Sequence, residues 1–263
     1  MKVQTIALLG DLHCGSLWGL HCDDVNVGVK YLRECYANLL KRWPKKIDLL
    51  VLMGDLIDGP QRKSAGTGVT STSLGDQTDI AIEVLKPLIA RAAKAIRVDG
   101  TPYHEDFHQA LSKLDVAFGI QKHQQVFDLE INGKRFNIAH HPAGGGAIYM
   151  GTTVDREGLW SMIAAHEGHV PDSQWIIRAH RHCSFYQQTH TRTMLQTPCF
   201  ELATPHAVKT NYFRFMPSLG GVLLQADDRF QNGFAYLPTI YQNPRKEILA
   251  YEQIKTCAPR SAD

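Results

Sequence analysis

The feature of this sequence that most constrains its fold is a short apolar run that ends in an aspartate and a histidine. Ile6 to Leu9 is apolar, Gly10 interrupts the run, and Asp11 and His13 follow directly. An apolar run bounded by glycine predicts a buried strand, and side-chain alternation along a strand would point Asp11 and His13 to the same side. A carboxylate oxygen and an imidazole nitrogen that converge in this way suit zinc, manganese or iron.

Later apolar runs end in the same kinds of side chain. Each is followed by a carboxylate or a histidine at the point where a strand would finish. These runs and the residues after them are 47–53 with Asp55 and Asp58, 95–98 with Asp99 and His104, 134–139 with His140 and His141, and 175–179 with His180 and His182. Because ligands in α/β folds collect at the carboxyl ends of strands, this recurrence predicts one shared metal site.

Helical and strand patterns alternate along most of the chain. Apolar residues at helical spacing predict a helix from Val27 to Arg42, and Asn132-Gly133 between two apolar runs predicts a hairpin with a type I′ turn. We expect further helices at about 76–93, 105–114 and 154–165. Strands that alternate with helices predict an α/β domain with a parallel sheet. The hairpin, and further strands expected within residues 185–241, should add antiparallel strands. The expected architecture is a mixed sheet, or two sheets packed face to face with flanking helices.

Composition and length narrow the class of protein. A chain of 263 residues is long enough for one large core, so we expect a single domain over residues 1–241 and a tail over 242–263. A formal charge of +2 gives no global argument for a polyanionic partner. The cysteines form no Cys-x-x-Cys pair, and no stretch reaches the ~18 apolar residues of a membrane span. These features favour a cytoplasmic protein with reduced thiols and no membrane association.

Taken in order, the motifs resemble those of the calcineurin-like metallophosphoesterases. The resemblance runs from Thr5 to about Cys183, and the ordered set is far more specific than any single motif. It implies an α/β fold in the form of a four-layer sandwich of two mixed β-sheets flanked by helices. It also implies a dinuclear metal centre in which Asp11, His13 and His182 hold one ion, His140 and His180 hold the other, and Asp55 bridges them.

The resemblance also implies the chemistry of this centre. A carboxylate that spans two cations keeps them roughly 3.5 to 4 Å apart, and the pair acidifies a shared water to hydroxide, which can attack phosphorus in line. We expect two divalent ions, with Mn²⁺ favoured and Fe, Zn, Ni or Mg as alternatives. Such a protein is a hydrolase that acts on phosphate esters and needs no covalent nucleophile of its own.

The third motif departs from the family pattern. The family usually has Gly-Asn-His, with the Asn as a ligand of the second metal, whereas here Thr101 follows Gly100 and His104 comes three residues later. The resemblance implies that His104 is the catalytic histidine, which stabilises the phosphoryl oxygen or protonates the leaving group. A water, His104 or His141 could fill the ligand position that the family Asn occupies.

The substrate is expected to be a phosphodiester, and the motifs resemble those of the nuclease-type and phage-encoded branch of the family. Arg62, Lys63 and Arg181 lie in or beside the motifs and are candidates for binding substrate phosphates, while Tyr103 could stack on a base. The near-neutral charge favours a short or single-stranded nucleic acid over a long duplex. The alternatives are a phosphomonoesterase, a small-molecule or cyclic-nucleotide phosphodiesterase, and a catalytically weakened metal-binding scaffold.

Overall fold

The computed structural model describes residues 2–105, 110–142, 149, 151–209 and 216–244. Most of the predicted tail at 242–263 therefore lies outside the described residues, as does most of the glycine-rich loop at 143–151. The strands are β1 (Thr5–Leu9), β2 (Leu49–Leu52), β3 (Ala95–Val98), β4 (His123–Gln124), β5 (Val126–Ile131), β6 (Lys134–Ala139), β7 (Trp175–Arg178), β8 (Phe185–Gln188), β9 (Thr193–Gln196), β10 (Leu219–Ala226) and β11 (Phe234–Tyr241). The helices are α1 (Val27–Arg42), α2 (Leu74–Ile89), α3 (Pro102–Glu105), α4 (Ser112–Phe118), α5 (Thr152–His166) and α6 (Pro205–Lys209).

These strands form two mixed sheets. The first has the order β11-β10-β1-β2-β3-β4, with β1 to β4 parallel and β10 and β11 antiparallel additions. The second has the order β5-β6-β7-β9-β8, in which β6, β7 and β9 run parallel. The loops that leave β1, β2 and β3 therefore emerge at one edge of the first sheet, and those that leave β6, β7 and β9 emerge at one edge of the second.

Alternate residues of each central strand face different layers. Ala7 and Leu9 of β1 pack in a core with residues of α1 and α2, whereas Ile6 and Leu8 face the second sheet in a core that includes Trp175. A smaller core on the far side of the second sheet joins α5 to β7 and β9 through Val154, Ile176 and Met194. The layers are thus helices, sheet, sheet and helix, which confirms the predicted fold class of two mixed sheets flanked by helices.

Local signals predicted several elements correctly. Helix α1 spans the predicted residues, and the Asn26 side chain caps it by accepting from the Val29 amide at 2.9 Å. The hairpin of β5 and β6 is also confirmed, with Asn132 and Gly133 at φ 52° and 74°, as a type I′ turn requires. No helix in the described part of the chain is long and apolar enough to cross a membrane.

The helix predicted from residue 105 to residue 114 was wrong at residues 110–111, which form a turn before α4 begins at Ser112. Residues 106–109 lie outside the described residues, and Glu105 belongs to α3. The Glu105 side chain turns inward, and its Oε2 accepts from the Gly100 amide at 2.7 Å. A helical periodicity could not reveal this contact.

A buried arginine supports this part of the fold. Arg97 of β3 is 0% exposed, and its guanidinium donates to both carboxylate oxygens of Asp115, at 2.9 and 2.7 Å. The same group donates to Asp99 Oδ1 at 3.0 Å and lies 3.7 Å from Glu105 Oε2. Arg97 therefore neutralises the negative charge of several carboxylates that lie beneath the loops after β2 and β3.

We predict that Arg97→Met destabilises the protein by about 3–5 kcal/mol, since it leaves buried carboxylates without their principal cation. Urea unfolding followed by circular dichroism measures this loss. Arg229→Met is the matched control, because the exposed Arg229 pairs with Asp227 on the surface, and it should leave the unfolding midpoint nearly unchanged. Equal midpoints for the two variants would contradict a structural role for the buried network.

Candidate metal centre

Five residues of the predicted site adopt an unusual backbone conformation, with positive φ angles. Asp11, His13, Asp55, His180 and His182 have φ angles of 48°, 46°, 47°, 67° and 56°. Residues with a Cβ rarely adopt this left-handed region, and such strain persists only where surrounding contacts enforce it, commonly at functional sites. The prediction that strand alternation would orient Asp11 and His13 was wrong, because β1 ends at Leu9 and both residues lie in a loop.

Main-chain hydrogen bonds between neighbouring loops enforce these conformations. The Asp11 amide donates to Gly54 O at 2.9 Å, and the His13 amide donates to Asp55 O at 3.1 Å. Glycine is required at Gly100, where a Cβ would overlap the main-chain nitrogen and Oδ1 of Asp55. The loops after β1, β2 and β3 are therefore packed backbone against backbone, which leaves their side chains free to converge.

The first group of possible ligands consists of Asp11, His13 and His182. The Nε2 atoms of His13 and His182 are 3.2 Å apart, and His182 Nε2 lies 3.3 Å from Asp11 Oδ1. One ligand atom from each of the three residues lies within 4.8 Å of the others. These residues come from the ends of β1 and β7, so the group joins the two sheets.

The second group consists of Asp55, His140 and His180. Asp55 Oδ2 lies 3.0 Å from His140 Nε2 and 4.0 Å from His180 Nδ1. Asp55 also belongs to a set with His13 and His104 whose ligand atoms are within 4.8 Å of one another. The Asp55 carboxylate thus lies between the two groups, where a bridging ligand would have to be.

The outer nitrogens of three histidines face oxygen atoms, with a hydrogen bond at His13 and His140 and an ion-pair distance at His182. Nδ1 lies 3.1 Å from Asp58 Oδ1 in His13, 2.7 Å from Met53 O in His140, and 3.3 Å from Glu201 Oε2 in His182. An acceptor at Nδ1 fixes the proton there and leaves Nε2 with a free lone pair. The three rings are therefore oriented as metal-ligating histidines commonly are.

Two buried atoms at the centre find no hydrogen-bond partner among the described residues. They are Asp11 Oδ1 and His140 Nε2, although His140 Nε2 lies only 3.0 Å from Asp55 Oδ2. Burying a polar atom without a hydrogen-bond partner costs free energy, so these two atoms need an explanation. Carboxylate oxygens and imidazole nitrogens that converge in this way suit divalent transition-metal ions as ligands.

The charges of these groups are strongly coupled. Burial would lower the pKa of His140, but Asp55 and Asp11 outweigh burial and raise this pKa to about 10. Glu201 and Asp58 likewise overcome burial and raise the pKa of His13 to about 9. Burial opposes ionisation of Asp55, yet the neighbouring histidines, His140 first, hold its pKa well below the usual value. The buried carboxylates therefore favour positive charge at these histidines, either a proton or a bound cation.

In the third motif, Thr101 lies against Asp55, and His104 is within ligand distance of Asp55 and His13. The Thr101 amide and hydroxyl both donate to Asp55 Oδ1, at 2.6 and 3.0 Å, so Thr101 orients the carboxylate. His104 Nδ1 lies 2.6 Å from Asp58 O, and its ring centroid is 4.6 Å from that of His13. Burial and the charge of His13 lower the pKa of His104. His141 is exposed, with its ring centroid 3.9 Å from that of His180.

The predicted phosphate-binding residues lie at the rim. Arg62 and Lys63 are exposed on a short 3₁₀ turn, and Lys63 Nζ lies 5.6 Å from the ring centroid of Tyr103. Tyr103 donates to Gln61 Oε1 at 3.1 Å, and its ring is 5.1 Å from that of His104. Arg181 is half-buried between the two histidines of the last motif.

The sequence analysis missed Glu201 and gave Asp58 no role. Glu201 follows β9, which runs parallel to β7 and was not recognised as a strand in the sequence. A strand assignment at Thr193–Gln196 would have pointed to the carboxylate that follows it. Asp58 belonged to a recognised motif, and the structure places it behind the ring of His13.

The side chains of the centre form a buried floor with an open rim. Asp11, His13, Asp55 and His140 are almost completely buried. By contrast, the side chains of His104, His182 and His180 are 18%, 20% and 34% exposed. A ligand can therefore approach from the side of these three histidines.

Comparisons with known proteins give only distant structural likenesses. No protein-family model and no curated protein matches the sequence. An archaeal phosphodiesterase is 11% identical, aligned over 90% of this chain and 99% of its own, with a TM-score of 0.47. The zinc complex of Vps29 from Entamoeba histolytica is 14% identical over 90% and 99%, with a TM-score of 0.41. A predicted phosphoesterase from Streptococcus pneumoniae is 10% identical over 91% and 99%, with a TM-score of 0.38.

Proposed function

We propose that this protein is a metal-dependent phosphoesterase. The observation that carries the proposal is a pair of adjacent ligand groups, Asp11, His13 and His182 in one and Asp55, His140 and His180 in the other, with Asp55 also within ligand distance of His13. His13 and His140 bond through Nδ1 to an outer acceptor, and His182 Nδ1 lies 3.3 Å from Glu201 Oε2. Divalent cations held there, Mn²⁺ first among them, would lower the pKa of a water molecule and neutralise charge on phosphate oxygens.

The residues of this chain contribute orientation and proton handling. The two Thr101 donors hold Oδ1 of the Asp55 carboxylate, and Oδ2 faces His140 Nε2 at 3.0 Å. The bond between His104 Nδ1 and Asp58 O leaves His104 Nε2 to hold or release a proton beside the site. A substrate phosphoryl oxygen or leaving group at the rim would meet this nitrogen.

We predict different effects for Asp55→Asn and His104→Ala. Asp55→Asn keeps an oxygen for Thr101 but removes the shared charge, so it should lose nearly all bound Mn²⁺ and all activity. His104→Ala should keep its metal content and lose about 10²–10⁴-fold in kcat, the usual contribution of a general acid or base. Metal analysis of both purified variants, alongside hydrolysis of an aryl phosphodiester, provides the measurement.

The metal content of His104→Ala decides between two roles for this histidine. Loss of one metal equivalent would show that His104 is a ligand in the position of the missing Asn. If Asp55→Asn retained its metal, the shared-carboxylate centre would be wrong, and if the native protein bound metal but hydrolysed no phosphate ester, it would be a scaffold.

We further propose that the substrate is a phosphodiester in a short or single-stranded nucleic acid. Lys63 and Tyr103 support this proposal, since a cation and an aromatic ring lie together beside His104 and offer a contact for a flanking phosphate and a stacking surface for a base. The small net charge of +2 fits few phosphate contacts rather than a long tracked backbone.

We predict that the double variant Arg62→Ala, Lys63→Ala raises KM for a short single-stranded oligonucleotide and leaves hydrolysis of a small aryl phosphodiester nearly unchanged. Loss of two phosphate contacts should also reduce the salt dependence, by roughly 1.4 in the slope of log KM against log salt concentration. Lys45→Ala with Lys46→Ala is the matched control, because these exposed lysines precede β2 and lie at its opposite end from the site. An equal loss on both substrates would contradict the nucleic-acid proposal.

A further inference from the structure

Glu201 lies outside all the Asp and His motifs of the sequence. It is a buried carboxylate next to the group of Asp11, His13 and His182. Its side chain is 7% exposed, and it follows β9 at the same edge of the second sheet from which His180 and His182 emerge. Glu201 Oε2 lies 3.3 Å from His182 Nδ1 and 3.8 Å from His13 Nε2. A charge buried this deeply is usually paired or bound to a cation.

The main chain around Glu201 is tied to the loop that carries Asp11. The Phe200 amide donates to Asp11 O at 3.0 Å, and the Leu202 amide donates to Trp18 O at 2.9 Å. The Cys199 thiol lies 3.4 Å from Glu201 O and 3.7 Å from His182 O. The backbone around Glu201 is therefore tied to the segments that carry Asp11 and His182.

The two ligand groups differ in what lies behind their histidines. In the first group, a carboxylate lies at the outer nitrogen of two rings: Asp58 is hydrogen-bonded to His13 Nδ1, and Glu201 Oε2 lies 3.3 Å from His182 Nδ1. In the second group, the neutral carbonyl of Met53 backs His140, and the His180 side chain is 34% exposed. A carboxylate behind an imidazole makes it a stronger ligand and holds its orientation, commonly changing metal affinity by 10–100-fold.

We propose that Glu201 is a positioning residue for His182, and that it makes the group of Asp11, His13 and His182 the tighter of two cation sites. This inference rests on the proposed metal centre. The site with two backing carboxylates fills first, and the site of Asp55, His140 and His180 fills at higher metal concentration.

Titration of the metal-free full chain with Mn²⁺, followed by calorimetry, tests this proposal. The native protein should show a tight and a weak class of site. Glu201→Gln, which keeps the shape of the side chain, should weaken the tight class by about 10–100-fold and leave the weak class unchanged. His180→Ala should remove the weak class and preserve the tight one. Asp58→Asn, which removes the carboxylate behind His13, should weaken the same tight class as Glu201→Gln.

Glu157→Gln is the matched control for loss of a carboxylate elsewhere, in helix α5 that packs on the second sheet. Glu157 accepts from Arg178 Nε at 2.9 Å and belongs to neither ligand group, so both classes should keep their native affinities. Equal weakening of both classes in Glu201→Gln, or no change in either, would overturn the role of Glu201. A native chain that binds no Mn²⁺ would instead overturn the proposed metal centre itself. Thermal unfolding of each metal-free variant establishes that it is folded.

Discussion

The centre depends on the position of one buried carboxylate, that of Asp55. The Thr101 amide and hydroxyl hold its Oδ1, and its Oδ2 lies 3.0 Å from His140 Nε2, a nitrogen without a hydrogen bond among the described residues. Asp55 comes from the first sheet and His140 from the second, so their contact joins the two halves of the sandwich. A carboxylate in this position would serve two cations at once, and the two ligand groups are therefore proposed as one centre rather than as separate sites.

The surrounding fold stabilises an arrangement that is unfavourable by itself. Left-handed φ angles at residues with side chains cost free energy, and so do several charges buried close together. The four-layer packing provides the compensation, because the loops after parallel strands are clamped by main-chain hydrogen bonds such as that from Asp11 N to Gly54 O at 2.9 Å. Below them, Arg97 neutralises the carboxylates that support the Gly100 turn. The strain at the site is thus supported by a rigid and well-packed base.

Much of this could be predicted from the sequence, since local patterns specify local structure. The helical period of α1, the Asn132-Gly133 turn and the alternation of strands with helices predicted elements that the structure contains. The order of the Asp and His motifs also predicted which side chains lie at the same end of the sandwich. Glu201 and the left-handed loop at Asp11 and His13 could not be found in this way, because they depend on contacts between segments far apart in sequence. The short strand β9, which brings Glu201 to the site, has no strong period of its own.

The central claim is that two cations bind on either side of Asp55. Anomalous diffraction from crystals of the protein grown with Mn²⁺, recorded at a wavelength where manganese scatters anomalously, locates the ions directly. The account predicts one peak ligated by Asp11, His13 and His182 and a second ligated by His140 and His180, with the Asp55 carboxylate between them. A single peak remote from Asp55, or none at these residues in crystals that contain Mn²⁺, would contradict it.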